Sequence, residues 1–318
     1  MKDITLKTRG ELRLARLLQY FYTLFPRKLE IPPPQKFTCF DINGPTHPCT
    51  GIIPRIIWAY WNTTPIPPLI QSCLNSWSFF NPHFDIRLIN DIQLNKYLPN
   101  LPQNFQNLPI TKRSDWIRLE LLRLYGGIWI DASTILTQSL DWVIEQQRST
   151  HADFIGYFLE KYTTQANFPV IENWFMAAPI GSTFISDVQD EFSLQVITRS
   201  NEQYIAYLQE RGIYDQLLQN IDMPAYLSQH LAIQHVLHAH KNYRLCLAKA
   251  ENGPYFLHSL GDWRRTPLKL RLMFSRCQEA PQLIKLRSPD RKRLDLYLQN
   301  GLYVKDSVAQ RYLMDLEK

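Results

Sequence analysis

The sequence of 318 residues lacks the features of small disulfide-rich, zinc-binding and membrane-spanning proteins. Its five cysteines are odd in number, far apart and without a Cys-x-x-Cys pair, which argues against a disulfide framework or a zinc ribbon. No uninterrupted apolar run approaches the ~18 residues that a membrane helix requires. The first residues show no apolar core followed by a small-residue cleavage site. We therefore expect a protein of a reducing compartment, the cytoplasm.

Two common phosphate-binding motifs are also missing. Neither G-x-G-x-x-G nor G-x-x-x-x-G-K-[ST] occurs, which disfavours dinucleotide-binding and P-loop enzymes. There is no internal repeat and no low-complexity tract. What the chain does have is 45% hydrophobic, 13% aromatic and 20% charged residues. This composition excludes a disordered chain and predicts a folded globular protein with a sizeable core.

The net charge of +6 is unevenly distributed along the chain. Residues 1–30 carry a net charge of +4 and residues 264–293 a net charge of +8, which leaves −6 for the rest. That distribution disfavours a nucleic-acid-binding groove, and no RNA-recognition, zinc-finger or KH motif is present. It fits a folded domain whose basic ends meet an anionic membrane surface. We expect a peripheral location on the inner face of the cytoplasmic membrane and no nucleic-acid partner.

A basic amphipathic helix is predicted near the start of the chain. Apolar residues recur at helical spacing, with three arginines towards the other side: Leu14, Leu17, Leu18, Phe21 and Phe25 against Arg9, Arg13 and Arg16. Such a helix either docks on the domain core or lies on an anionic membrane. Pro26 and the run 32–34 of prolines end the helix and predict a stiff linker. We expect a boundary after residue 36 and a single domain over 37–318.

Strand-like and helical patterns alternate after this boundary. Short apolar runs at 52–61, 84–89, 128–131 and 154–158 predict strands, and the spacing at 69–80 and 112–125 predicts helices. Alternation of this kind is typical of an α/β sheet with parallel pairs. Ser288-Pro289-Asp290 has the order of an N-cap and a first helical turn, which predicts a further helix there.

Residues 112–134 contain the side chains with the strongest indications of a ligand site. Gly126 and Gly127 are expected to end a helix, and the short strand that follows ends at Asp131. Ligands collect at the carboxyl ends of strands in open α/β sheets, so a carboxylate there is well placed to meet one. Asp115 and Arg118 lie three residues apart and share a helix face. Their alternative role is a surface ion pair.

The sequence here resembles the DXD-type sugar transferases of the capsular polysaccharide synthesis group, related to yeast-type α-1,6-mannosyltransferases and glucosylating clostridial toxins. The resemblance covers roughly residues 52 to 290. It rests on four segments: Ile53-Pro54-Arg55-Ile56-Ile57-Trp58-Ala59-Tyr60-Trp61, Asn81-Pro82-His83, Ser114-Asp115-Trp116-Ile117-Arg118 and Tyr125-Gly126-Gly127-Ile128-Trp129-Ile130-Asp131. It implies a Rossmann-like GT-A glycosyltransferase fold. The expected fold class is therefore α/β of this type, with the N-terminal amphipathic helix predicted above and helical additions.

The resemblance also implies a donor site. Trp61 matches the aromatic residue that stacks on the donor base, and Asp115 with Arg118 matches the pair that binds ribose and sugar hydroxyls. Asp131 matches a carboxylate of the metal motif, which would hold Mn²⁺ or Mg²⁺ against the departing diphosphate. The third position of the motif, however, is Ser133, which either ligates the metal or is an ordinary loop serine. Tyr60 and Ser114 adjoin these residues as further substrate-binding candidates.

Five further candidates rest on looser matches. Asn173 matches the donor sugar pocket, although its segment also fits a buried strand. Gln229 and His230 match an acceptor-side helix. His258 matches an element that faces the diphosphate. Lys285 matches a late lysine that pairs with a phosphate, its alternative being a solvated strand-edge lysine.

These matches imply a retaining, metal-dependent hexosyltransferase. The expected donor is a UDP- or GDP-sugar, and the expected acceptor is a capsular or lipopolysaccharide-type glycan of a bacterial surface, or its lipid-linked form. Because no nucleophile can be nominated, we expect attack on the same face from which the diphosphate leaves. The alternative is a catalytically inactive, membrane-associated scaffold of the same fold, for which Ser133 is the one indication.

Overall fold

The computed structural model describes residues 6–46, 48–239 and 241–316. The strands are β1 (Arg27–Lys28), β2 (Phe37–Ile42), β3 (Ile56–Tyr60), β4 (Asp85–Ile89), β5 (Gly127–Ile130), β6 (Thr134–Leu136), β7 (Phe154–Phe158), β8 (Ile171–Ala178), β9 (Tyr243–Lys249), β10 (Ser275–Arg276) and β11 (Leu283–Lys285). The α-helices are α1 (Leu6–Leu24), α2 (Pro68–Phe80), α3 (Leu94–Tyr97), α4 (Ile110–Tyr125), α5 (Asp141–Thr150), α6 (Thr183–Glu191), α7 (Asn201–Glu210), α8 (Tyr214–Leu218), α9 (Ser228–His238), α10 (Phe256–Ser259), α11 (Arg265–Phe274) and α12 (Leu294–Gln299).

A seven-stranded mixed sheet forms the centre of the protein, in the order β2-β9-β7-β8-β5-β3-β4. Strands β3, β4 and β5 are parallel to one another, as are β7 and β9, whereas β2 and β8 run antiparallel to their neighbours. The predicted α/β class is therefore confirmed. Since β3 and β5 are parallel neighbours, their carboxyl ends meet at one edge of the sheet, which is where Trp61 and Asp131 follow them.

The turn from α4 into β5 depends on two glycines. Gly126 and Gly127 have φ angles of 61° and 101°, in the region that side chains disfavour. A Cβ on Gly126 would lie 2.7 Å from the backbone nitrogen of Ile180, and one on Gly127 would lie 2.8 Å from the carbonyl oxygen of Ile56. Glycine is thus required at both positions for α4 to end and β5 to enter the sheet, as the sequence predicts.

The two-stranded sheet of β6 and β11 lies beside the central sheet and pairs distant parts of the chain. Lys285 is opposite Thr134 in this antiparallel pair. The pairing continues beyond β11, because the backbone nitrogen of Leu286 donates to the carbonyl oxygen of Ser133 at 3.0 Å. The fold thereby fixes β11 against the motif that starts at Asp131.

Helix α1 packs on a second hydrophobic cluster, built mainly from α2 and the C-terminal elements. Ala15 is buried there, and Lys269 and Arg293 pair with Glu11 of α1. The other side of the helix, which we call the α1 apolar face, is 51–67% exposed and comprises Leu14, Leu17, Phe21, Leu24 and Phe25. The two roles open for this helix, docking on the core and presenting an apolar surface, thus belong to opposite sides of it. None of the helices in the described ranges is long and apolar enough to cross a bilayer.

Only three of the ten basic residues of 264–293 are buried, and the membrane contact expected from the charge of this segment stays a prediction. The three are Lys269, Arg271 and Lys285. The helix predicted at Ser288 is wrong: 288–293 form turns, and α12 begins only at Leu294. The reason is that the Asp290 carboxylate binds Arg287 and His258 and fixes a turn instead of a first helical turn.

Candidate functional site

A cavity of about 700 Å³ opens at the carboxyl edge of β3 and β5, within the size range of small-molecule sites. Its walls come from the ends of these two strands, from α4, β8 and the start of α9, and from the segment that follows β11. Eight of the predicted site residues line it: Tyr60, Trp61, Ser114, Asp131, Ser133, Asn173, His230 and Lys285. The sheet thus gathers most of the candidates into one space.

Trp61 and Tyr60 form the wall beside β3. The Trp61 ring has the guanidinium carbon of Arg291 5.5 Å from its centroid, and its indole nitrogen is buried without a hydrogen-bond partner among the described residues. The hydroxyl of Tyr60 donates to the Asp91 carboxylate, and burial together with this hydrogen bond raises the pKa of Tyr60. Trp61 therefore lines the cavity with its ring beside Arg291, while the Tyr60 hydroxyl is already engaged.

Asp131 lies at the end of β5, between two cations. Its Oδ2 accepts from Lys285 Nζ at 2.6 Å, and its Oδ1 accepts from Arg118 Nη2 and from Trp129 Nε1, each at 3.2 Å. Burial would raise the pKa of this carboxyl, but Lys285 and Arg118 outweigh burial and lower it. Asp131 is consequently held ionised. Burial lowers the pKa of Lys285, and the charge of Asp131 opposes that change.

The predicted metal ligands do not fit a divalent cation in this arrangement. Both oxygens of Asp131 are bound by N–H donors. The Ser133 hydroxyl donates to the Leu286 carbonyl at 2.9 Å and accepts from Lys285 Nζ at 3.3 Å. Over the described ranges, no group of three or more His, Cys, Asp or Glu side chains could hold a metal ion. A hard cation needs several free oxygen ligands, and this pair offers none.

Arg118 is the centre of a hydrogen-bond network beneath the cavity floor. Its guanidinium donates to Asp115 at 2.5 Å, to Gln229 at 2.9 Å and to Ser114 at 3.4 Å, in addition to Asp131. Asn173 Nδ2 donates to the same Gln229 oxygen at 2.8 Å. Burial raises the pKa of Asp115, and Arg118 opposes this.

Three predicted roles change with this geometry. Asp115, Arg118 and Gln229 do not line the cavity. Gln229 is 1% exposed and its carbonyl is taken by Arg118 and Asn173, so it does not contact an acceptor as predicted. Hydrogen bonds of Arg118 and Gln229 reach Asp131, Ser114 and Asn173, which do line the cavity.

His258 also does not line the cavity, and its predicted contact with a diphosphate stays a prediction. Its side chain is fully buried, and Nε2 lies 2.9 Å from the Asp290 carboxylate. Asp290 in turn binds Arg287, whose Nη2 donates to the Trp263 carbonyl at 2.9 Å. His258 therefore supports the turn that presents Arg287.

Arg287 and Arg291 are cavity-lining residues that the sequence analysis missed. Together with Lys285 they place three cationic side chains on one short segment. Arg291 makes no ion pair with any described residue, and its Nε is buried without a partner. The sequence indication was the basic run around Lys285, which was interpreted as a membrane-facing segment.

The far side of the cavity holds another missed residue, Glu172. It precedes Asn173 on β8, is 5% exposed, and places Oε1 3.8 Å from His230 Nε2. His230 is 3% exposed, and neither of its ring nitrogens has a hydrogen-bond partner among the described residues. A buried polar side chain without a partner is costly, which makes this pair a candidate for contact with polar groups of a ligand.

Several solved structures with a distant likeness to this chain are glycosyltransferases. They include PaToxG glycosyltransferase (16% identity, TM-score 0.31, 72% of this chain and 86% of that one). Another is the apo-form glycosyltransferase GlyE of Streptococcus pneumoniae TIGR4 (11% identity, TM-score 0.38, 79% of this chain and 60% of that one). A third is galactosyltransferase LgtC in complex with donor and acceptor sugar analogs (10% identity, TM-score 0.34, 62% of this chain and 74% of that one).

Two curated fungal proteins are similar in sequence. The O-glycosyltransferase braB of Annulohypoxylon truncatum is 28% identical over 159 residues, which cover 44% of this chain and 36% of that protein. The glycosyltransferase afumC of Aspergillus fumigatus (strain CBS 144.89 / FGSC A1163 / CEA10) is 28% identical over 157 residues, 43% of this chain and 39% of that protein. The match thus spans less than two fifths of each relative.

The family model described as capsular polysaccharide synthesis protein matches residues 34–287. That stretch contains the whole seven-stranded sheet and every residue of the predicted site, and it confirms the resemblance on which the GT-A fold class was predicted. The chain belongs to the capsular polysaccharide synthesis protein family.

Proposed function

We propose that the chain is a retaining glycosyltransferase that moves a hexosyl unit from a UDP- or GDP-sugar to a surface glycan or a lipid-linked glycan. The observation that carries this proposal is the composition of one cavity. An aromatic face at Trp61 and three cations at Lys285, Arg287 and Arg291 lie beside the ionised Asp131 at the carboxyl edge of the sheet. A nucleoside diphosphate needs a surface for its base and positive charge for its phosphates.

The donor half of the cavity is the part between Trp61 and the segment 285–291. The base stacks on Trp61, and the diphosphate faces the cations. As the sugar–phosphate bond breaks, negative charge grows on the leaving diphosphate, and fixed cations stabilise that charge without reorganising. Asp131 and Arg118 hold the Lys285 ammonium and the motif in place.

The acceptor half is the part around Glu172 and His230. A carboxylate and an imidazole with open hydrogen-bonding positions suit the vicinal hydroxyls of a sugar. Tyr226 lines the same side and is 61% exposed, so its ring can lie against the apolar face of a sugar. The acceptor hydroxyl attacks the anomeric carbon from the face that the diphosphate leaves, and its proton passes to a phosphate oxygen. Product analysis by NMR tests this step: an inverted anomer contradicts it.

The enzyme is proposed to work at an anionic membrane surface, through the α1 apolar face. The face is flanked by the exposed Arg9, Arg13 and Arg16, whose charge is complementary to anionic headgroups. Apolar area and basic residues together are what bind an interfacial helix. The occupant of this face is therefore a lipid surface.

The donor is identified by a thermal-shift screen of UDP-, GDP-, CMP- and dTDP-sugars with the full chain, with and without Mn²⁺. Binding stabilises the folded state by an amount that rises with the logarithm of ligand concentration over dissociation constant. We expect one UDP- or GDP-sugar to raise the melting temperature most. A screen in which no nucleotide sugar raises it contradicts the proposed activity. A donor that binds but is never transferred or hydrolysed favours the inactive scaffold instead.

A further inference from the structure

The Lys285 ammonium lies between Asp131 and Ser133, the two side chains of the predicted metal motif. Backbone pairing puts it there: Lys285 is opposite Thr134 in the β6–β11 pair, and Leu286 N donates to Ser133 O at 3.0 Å. Lys285 is separated from Asp131 by 154 positions in the chain, so this approach is a product of the fold. It is not an accident of a flexible surface side chain, because Lys285 is 6% exposed.

Both members of the Asp131-Ala132-Ser133 motif face that ammonium. Nζ donates to Asp131 Oδ2 at 2.6 Å and to Ser133 Oγ at 3.3 Å. The Ser133 hydroxyl donates its hydrogen to the Leu286 carbonyl, and its oxygen lone pairs accept from Lys285. An ammonium has three N–H groups, and the described residues accept two of them. The third is left for a ligand in the cavity.

We propose that Lys285, held between Asp131 and Ser133, supplies the positive charge that a divalent cation supplies in related enzymes, and that the chain binds its nucleoside diphosphate without a metal ion. This inference rests on the proposed nucleotide-sugar donor. Asp131 is shared between Lys285 and Arg118, and Arg118 is shared between Asp131 and Asp115. The cation of this group that faces the cavity is Lys285. Arg287 and Arg291 on the same segment extend the cationic surface along the diphosphate.

The replacement of a second carboxylate by serine is consistent with this arrangement. An aspartate at position 133 would add a ligand that attracts a cation, whereas a neutral hydroxyl adds one hydrogen bond to an ammonium already present. A divalent ion could bind Asp131 only by displacing Lys285 and crowding its charge against Arg118. Lys285 therefore takes the place of the metal ion, and Ser133 takes the place of the second carboxylate.

The test is an equilibrium titration of the full wild-type chain with UDP and with GDP, followed by tryptophan fluorescence, since Trp61 and Trp174 line the cavity. Each titration is run in EDTA and in Mn²⁺. We expect the same dissociation constant in both buffers, and no Mn²⁺ binding by electron paramagnetic resonance. Nucleotide binding that disappears in EDTA and returns with Mn²⁺ overturns the inference. Absence of binding in both buffers overturns the nucleotide-sugar donor, and this inference with it.

Variants separate the lysine from the rest of the cavity. Lys285→Met should weaken nucleotide binding roughly tenfold to a hundredfold, the range for loss of a charged hydrogen bond, and Lys285→Arg should recover part of it. Lys241→Met is the matched control, because Lys241 lies in an exposed ion pair with Asp187. The double variant Ser133→Asp/Lys285→Met recreates two carboxylates and should bind nucleotide only with Mn²⁺. If it remains indifferent to Mn²⁺ while its melting curve shows a folded protein, Lys285 does not occupy the metal position.

Discussion

Arg118 Nη2 lies 3.2 Å from Asp131 Oδ1 and joins α4 to the end of β5 beneath the cavity. The same guanidinium holds Asp115, so two carboxylates share one buried cation, and the Arg118 side chain is 5% exposed. Its predicted role was contact with the donor. In the structure it binds the same carboxylate that accepts from Lys285.

Replacing Arg118 with leucine should destabilise the protein by about 3 kcal/mol, since removing one partner of a buried ion pair leaves an uncompensated charge. Asp131 keeps Lys285, whereas Asp115 keeps only a 3.3 Å contact with Asn173. Urea unfolding measures the change. The control on the same helix is Arg123→Leu, whose pair with Glu120 is 39% exposed on the arginine side and should cost less than about 1 kcal/mol. Equal losses of unfolding free energy in the two variants would show that Arg118 stabilises the protein no more than an exposed ion pair does.

The sequence predicts the framework well where local rules decide it. The strands at 84–89 and 154–158 and the helices at 69–80 and 112–125 are confirmed within two residues, because apolar periodicity and the glycine pair at 126–127 act locally. The α1 helix is confirmed as well. The helix predicted at Ser288 is wrong because a distant side chain, His258, binds the carboxylate that the helix start would use.

The cavity was predictable in part. Asp131 follows from the rule that ligands meet the carboxyl ends of parallel strands, whereas Trp61 was predicted from the family resemblance. Lys285 was predicted only as a phosphate contact, because its approach to Ser133 depends on the register of β6 with β11, which no local pattern encodes. Gln229 and His258 were assigned to ligands because sequence gives a residue's type but not the direction in which its side chain points.

Replacing Trp61 with alanine should weaken binding of the nucleoside diphosphate by roughly fivefold to a hundredfold, since stacking of a base on an aromatic ring contributes about 1–3 kcal/mol. The effect should appear in KM for the donor more than in kcat, because the ring touches the base and not the reacting bond. Trp61→Phe keeps an aromatic face and serves as the control. An unchanged donor KM in Trp61→Ala would place the base elsewhere in the cavity.

Replacing Asp131 with asparagine separates an enzyme from the inactive scaffold. The amide cannot hold the Lys285 ammonium by charge, so sugar transfer and donor hydrolysis should fall below detection. Binding of anionic vesicles should stay at the wild-type level, since Asp131 is remote from the α1 apolar face. The assays are release of nucleoside diphosphate and vesicle co-sedimentation on the same preparation. A variant as active as the wild type would remove Asp131 from the chemistry.

Replacing Leu17 and Phe21 with serine should weaken co-sedimentation with anionic vesicles. These side chains are 67% and 51% exposed, so their loss removes apolar area from the proposed membrane contact without opening the core. Each buried hydrophobic side chain contributes about 1.5–3 kcal/mol, which predicts a loss of at least tenfold in partitioning. The control is Leu194→Ser, an equally exposed leucine outside α1 at 65%. Equal partitioning of all three proteins would exclude the α1 apolar face as the contact.

The buried pair of His258 and Asp290 predicts how stability depends on pH. Burial lowers the pKa of His258 below 6.5, although Asp290 opposes this. Burial would raise the pKa of Asp290, but the hydrogen bonds from His258 and Arg287 outweigh it and hold the pKa at about 2, against an ordinary 3.8. Both groups bind protons more readily in the unfolded chain than in the folded one. Stability from both is therefore full above pH 6.5 and is lost as the pH falls.

We expect the free energy of unfolding to decrease first as the pH falls below 6.5 and again as it falls from 3.8 towards 2. The first decrease arises because a proton on His258 Nδ1, which is buried without a partner in the described structure, would bury a charge with no acceptor. His258→Gln keeps a side-chain N–H for Asp290 but does not titrate. Urea unfolding of both proteins above and below pH 6.5 isolates this group, because the other histidines contribute equally to each. Parallel pH profiles would show that His258 is protonated as easily in the folded protein as in the unfolded chain.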